Sequence, residues 1–269
     1  MVILLAALLF AQASTFEVAS VKVSGPTSTR DSGGGPGTRD PGQYHFNSAT
    51  LQDLIALAYH IDYFQIAAKT PLDANRYDVI AKVPGGATRD QFREMLRNLL
   101  AERFHLKIHH ETRDFPAWEL TIAKSGLKIK ESSPPVGAGL MPAPPKIGDD
   151  GFPEIPAGQA GRADRSHIVD GFVIVRTTAQ QQPVSALSYF GGMPGDPPVV
   201  DKTGLTGKYD FKLEFSRELP NPSGEPRVPP VPNLFTAIEQ QLGLHLAPKK
   251  LPFDVIVVDS VDRVPTENL

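Results

Sequence analysis

The chain contains no cysteine, a single tryptophan and only 8% aromatic residues. Without thiols there is no disulfide framework, no Cys-ligated zinc and no thiolate nucleophile, so each domain must be held by a packed apolar core. The 269 residues leave room for two such domains at about 100–150 residues each. A basic face is missing as well. The formal net charge is -3, the pI is about 6.2 and Lys and Arg are scattered, which argues against nucleic acid as the main partner and against a polybasic membrane patch. No apolar run reaches the ~20 residues of a membrane-spanning helix. There is no His-Glu-x-x-His pair, no P-loop and no Gly-x-Ser-x-Gly elbow.

What is present begins with Val2 to Phe10, an uninterrupted apolar run followed by the small-x-small site Ala11-Gln12-Ala13. This pattern predicts a signal peptide over 1–13 and a mature protein from about Ser14, periplasmic or extracellular and not membrane-spanning once the signal is removed.

The strongest internal pattern is a repeat. Lys69-Thr70-Pro71-Leu72, followed by Arg76-Tyr77-Asp78-Val79, returns as Lys202-Thr203-Gly204-Leu205, followed by Lys208-Tyr209-Asp210-Phe211. The predicted fold class is α+β, with two tandem related modules, 43–130 and 171–269. Each has two helices packed on small mixed sheets in the order strand-helix-strand-strand-helix-strand-strand. Thr50 with Asp53 and Thr88 with Gln91 form capping boxes ahead of apolar stripes at helical spacing. The first helix should end near His60 and be followed by a strand over Tyr63 to Ala67. Phe104–His110 and Phe115–Ala123 read as a hairpin turning at Thr112-Arg113-Asp114, and Leu244–Ala247 with Phe253–Val258 as its counterpart. In the second module Thr178 to Phe190 reads as a helix. The N-terminal part, 14–42, reads as one strand and a Gly-rich loop. Residues 131–170 read as a Pro/Gly-rich linker, with a further flexible insert at 219–232.

The runs Phe16 to Lys22, Leu51-Gln52-Asp53-Leu54-Ile55, Leu99 to Phe104 and Val200 to Phe211 resemble an exported protein family of unknown function that is expanded in soil bacteria. That resemblance spans nearly the whole mature chain and carries no catalytic residue with it. Some members are associated with antirepressor-type membrane metallopeptidases, which implies a sensing role. Each half is also similar in element order to the short N-terminal domain of secretins and TonB-dependent receptors, which implies docking of a partner through strand edges.

Candidate chemistry is sparse. His105, His109, His110 and Glu111 are the densest group of ligand-type residues, but on a strand His105 and His109 would lie about 13 Å apart at ~3.3 Å per residue, too far to share one tetrahedral ion. Polar residues on an exposed strand are the favoured reading, and no metal or cofactor is expected. Asp164, Ser166, His167 and Asp170 have the residue types of a hydrolase triad but sit too close together in sequence to converge from separate elements. The run Gly33-Gly34-Gly35-Pro36-Gly37 can present amides to an anion, with Arg30 and Arg39 as its partners. Asp201 to Gly207 reads as a turn feeding the Tyr-Asp strand, and Trp118 as core. Arg30, Arg39, His109, His110 and Glu111 are therefore the binding candidates, with no catalytic residue among them. The functional expectation is a non-catalytic binding or sensory module of the bacterial envelope, with an envelope protein as its partner. The alternative is a small secreted hydrolase or metal-dependent enzyme.

Overall fold

In the computed structural model, residues 15–133, 146–191, 197–222 and 224–266 are described; the expected signal peptide lies outside them. The fold is mixed α+β and divides into two compact units, Met1–Arg113 with Pro252–Leu269, and Asp114–Leu251. The second is inserted into the first, whereas the expected modules 43–130 and 171–269 follow one another along the chain.

In the first unit the strands are β1 (Val18–Val23), β2 (Asp31–Gly34), β3 (Gln43–Ala49), β4 (Ile66–Ala68) and β5 (Tyr77–Lys82). β1, β5, β3 and β2 form an antiparallel sheet in that order. Two helices cover it, α1 (Leu51–Tyr59) and α2 (Arg89–Phe104). Both begin at the predicted capping boxes: the Thr50 and Thr88 hydroxyls accept from the Asp53 and Gln91 amides, and the Asp53 and Gln91 side chains accept back from Thr50 and Thr88. Both end at a histidine in the left-handed region, His60 and His105, with φ of 56° and 46°. Leu54, Ile55, Leu96, Leu100, Phe104 and Tyr77 are fully buried between helices and sheet, each aliphatic or Phe side chain contributing about 1.5–3 kcal/mol. Residues 63–65 are a 3-10 turn, which shortens the expected strand to β4.

β6 (Lys107–Ile122) opens in the first unit and ends in the second, and the last strand makes the reverse passage. The second unit holds β7 (Lys130–Glu131), β8 (Gly161–Val169), β9 (Phe172–Gln182), β10 (Val199–Asp201) and β11 (Tyr209–Glu218). It also holds α3 (Leu234–Ala237), which continues as a π-helical turn, Ile238–Leu242, ended by Gly243. β12 (Leu244–Ser260) closes the fold. β7, β11, β9 and β8 form an antiparallel sheet in that order, and β10 pairs parallel with β6. The core gathers Phe211, Leu213, Phe215, Ile238, Leu242 and Leu244, with Trp118 half-buried at its margin and edge-on to Phe235.

The two Tyr-Asp strands are built alike in their local bonding. In the first unit Tyr77 is fully buried and one oxygen of Asp78, Oδ1, accepts the Ser24 hydroxyl at 2.6 Å and the Ser48 amide at 2.8 Å. In the second unit Tyr209 is buried and Oδ1 of Asp210 accepts the Ser132 hydroxyl at 2.6 Å and the Gln181 amide at 2.8 Å. Ser48 and Gln181 both have positive φ, 55° and 53°, and each pairing contains a register shift. A carboxylate oxygen thus holds the bulged backbone in both units.

Several expectations are corrected. The two hairpins do not form: β6 is one strand of 16 residues and β12 one of 17. Tight hairpin turns need positive φ, and no residue within either strand has it. The polar middles of both strands are exposed instead, which a continuous strand tolerates. Thr178 to Phe190 is not a helix; β9 runs to Gln182, with Thr177 and Thr178 buried in the sheet, and only Val184–Gly191 beyond Pro183 is helical, as a 3-10 segment. Residues Gly161–Val169 of the expected linker are a strand, paired with β9 along their whole length across an Asp170-Gly171 turn with both φ positive. The first Gly-rich loop contains β2.

Candidate functional site

The glycine-rich segment, the strand after it and the first helix meet around a cleft. β3 alternates, turning Tyr44 and Phe46 inward and His45 outward against Asp31. The capping box holds Asp53 in the first turn of α1, buried. Arg30, just ahead of β2, donates to both Asp53 oxygens at 2.7 and 2.8 Å, and the Tyr63 hydroxyl donates to the same carboxylate at 2.5 Å. With the Thr50 amide, Asp53 accepts four hydrogen bonds. Burial disfavours the charge on Asp53, but Arg30, Tyr63 and Thr50 together outweigh it and bring the carboxyl down to about 2. Arg30 also lies over the Phe46 ring, 5.4 Å from its centroid.

The cleft beside this network measures about 480 Å³, and its walls include the backbone of Gly33 and Gly34, the rings of Tyr44, Phe46 and Tyr63, and Leu57. Gly34 has φ of 80°, and a Cβ there would stand 1.9 Å from the Gln43 carbonyl oxygen. Only glycine fits, so this wall is bare backbone. Tyr44 is 6% exposed and packs edge-on against Phe92. Its hydroxyl is buried and has no hydrogen-bond partner. Burial, assisted by the nearby Asp53 charge, pushes this phenol far above its ordinary range, so it stands as a neutral O–H.

The residues expected from sequence are distributed differently. Arg30 is engaged by Asp53 rather than aimed at an anion, and the Gly35 amide donates within its own turn to the carbonyls of Asp40 and Gln43. Arg39 is exposed and is not among the residues lining the cleft. His109, His110 and Glu111 stand on the exposed middle of β6. The two ring nitrogens of His109 are 2.8 Å from Asp259 and 3.1 Å from Glu111, and the His110 ring is 2.8 Å from Asp254. Asp259 and then Glu111 raise the pKa of His109, while Arg113 and then His109 lower that of Glu111. His105 caps α2 instead of lying on a strand and pairs with Asp262. Among the described residues no group of three or more histidines and carboxylates could hold a metal ion. Ser166 and His167 are successive on β8 and so face opposite sides of it, which separates the triad-type residues. The Asp201 carboxylate accepts from the amide and hydroxyl of Thr203, the bonding of a turn.

Sequence reasoning assigned Asp53 to capping alone and missed Tyr44 and Tyr63. The signal for Tyr44 was its place two residues before Phe46 on one strand face. The Arg30–Asp53 pairing spans 23 residues and has no local signature.

A family model described as "Protein of unknown function (DUF3738)" matches residues 52–261. The chain belongs to this family. The match takes in α1 and the Tyr63 side of the cleft, while β2 and β3 precede it. No curated protein and no solved structure matches the chain.

Proposed function

We propose that this member of the family is a non-catalytic binding module of the bacterial envelope, exported by the apolar run at Val2 to Phe10 and holding a small ligand in the cleft between β2, β3 and α1. The observation that carries the reading is the cleft itself, walled by the bare backbone of Gly33 and Gly34 and by Phe46, Leu57 and Tyr63. A volume of about 480 Å³ falls in the range of small-molecule sites. The histidine–carboxylate pairs of β6 and β12 are open to solvent and satisfied by one another, which gives an enzyme reading no support. We also infer that the two units descend from one duplicated module, on the shared Tyr-Asp strands and the matching bonds of Asp78 and Asp210.

A fragment library followed by amide NMR on the whole chain tests the binding reading: shifts should cluster at Ser32 to Leu57 and Tyr63. A library that moves none of those amides overturns it. Export is tested by fusing residues 1–30 to a reporter active only outside the cytoplasm, and an inactive fusion overturns that part.

A further inference from the structure

We propose that the cleft takes a short extended peptide from another protein, uncharged and apolar at alternate residues, which adds as an antiparallel strand to the outer edge of β2. This rests on the binding reading above and names the ligand class for the same site. β2 is the end strand of its sheet and pairs with β3. The Gly35 amide donates to the Gln43 carbonyl at 2.6 Å, so the trans peptide before it turns the Gly34 carbonyl away from β3. Antiparallel bonding alternates: in this register Asp31 and Gly33 face β3 with their amides and carbonyls, while Ser32 and Gly34 turn theirs outward. Among the described residues no backbone group meets these outward ones. Donors and acceptors repeating at strand spacing are the chemistry that recognises another strand. Open edges are ordinarily blunted by charge or proline, and residues 32–34, Ser-Gly-Gly, have neither. Glycine within a strand also lets a second backbone approach closely.

The side chains of such a strand have a place to go. Ser32 lies opposite Phe46 in the register, and both line the cleft. Residues opposite one another across an antiparallel pair share a face, so those added opposite Ser32 and Gly34 point into the cleft, against Phe46, Leu57 and Tyr63. The polar groups of its wall are largely engaged. The Thr38 hydroxyl donates to the Gly35 carbonyl and accepts from the Asp40 amide, and Asp53 accepts from Arg30, Thr50 and Tyr63. Ser32 stands exposed at the lip. Arg30 balances the Asp53 charge at hydrogen-bond distance, so uncharged apolar side chains fit the interior.

The test titrates the full chain with acetyl-Thr-Leu-Thr-Phe-Thr-amide, followed by amide NMR. The expected result is that it shifts the amides of Ser32, Gly34, Phe46 and Leu57. N-methylation at its leucine and phenylalanine, whose amides meet β2, should weaken it about tenfold or more, while N-methylation at the second and third threonines should leave the Kd within about threefold. Serine in place of leucine and phenylalanine should weaken it about tenfold or more as well. Equal effects of the two methylations overturn the added strand and leave the cleft as a site for side chains. Loss on methylating the threonines instead overturns the antiparallel direction. Unchanged binding of the serine peptide overturns the role of the cleft in recognition. Movement of the Ser32 and Gly34 amides on concentrating the chain alone assigns the edge to a second copy and overturns the separate partner. A parent peptide that moves none of these amides overturns the peptide class, and the fragment library then decides the binding reading by itself.

Discussion

The Ser48 amide donates to Oδ1 of Asp78 at 2.8 Å from a backbone held at φ 55°, a conformation that a serine adopts only under constraint. The same oxygen takes the Ser24 and Ser28 hydroxyls, so one acceptor ties the end of β1, the loop after it and the bulge of β3 to β5. Asp78→Ala should lower stability by about 2–3 kcal/mol, because three donors lose their acceptor. Ser48→Gly should be neutral or slightly stabilising, since glycine holds positive φ without strain. Urea unfolding of the two variants checks the pair.

Acid should act on Asp53. Its folded pKa of about 2 lies below the ordinary carboxylate value, so its contribution is complete above about pH 4 and is lost as pH falls toward about 2. Asp53→Asn should flatten the stability–pH profile in that window while lowering stability at neutral pH by about 2 kcal/mol. Stability measured from pH 2 to 7 for both proteins decides it; parallel profiles would refute the assignment.

Tyr44→Phe should leave the unliganded protein as stable as before, or more stable by about 1 kcal/mol, because it removes a buried hydroxyl that nothing satisfies. A loss of more than about 1 kcal/mol would mean that the hydroxyl has a partner in the folded protein. Thermal unfolding without added ligand is sufficient.

Two glycines should respond in opposite ways. Gly243 ends the π-helical turn with φ of 68°, and a Cβ there would stand 2.1 Å from the Gly126 carbonyl oxygen. Gly243→Ala should cost at least about 2 kcal/mol. Gly85 has open space where its Cβ would be, and Gly85→Ala should be neutral or gain about 0.4–1 kcal/mol through the unfolded chain. Denaturant midpoints of the two variants give the comparison.

Local signals were legible wherever the chain satisfies itself within a few residues. The Thr50–Asp53 and Thr88–Gln91 caps, the helical end at His60 and the burial of Tyr77 and Tyr209 follow from short-range patterns. The Asp170-Gly171 turn was equally local, but the strand it serves, β8, is polar and lies at a sheet edge, so it resembles a linker in composition. β6 and β12 misled for the reverse reason. Their polar middles suggest turns, yet the backbone there stays extended and the histidines find carboxylates more than a hundred residues away. The cleft was hidden by the same kind of separation: Arg30, Tyr44 and Tyr63 become a site only once β2, β3 and α1 are assembled around Asp53.

The nesting of one unit inside the other sets an order on synthesis. The core of the first unit includes Ile256 and Val258 of β12, and β4 pairs with that same stretch at Ile66–Ala68. The ribosome therefore begins the first unit early and supplies its closing strand only after all of Asp114–Leu251 has been made. Domains generally fold as units in the order of their synthesis. Here the inserted unit is fully made before the outer one, and the outer one waits with an unfilled place in its core.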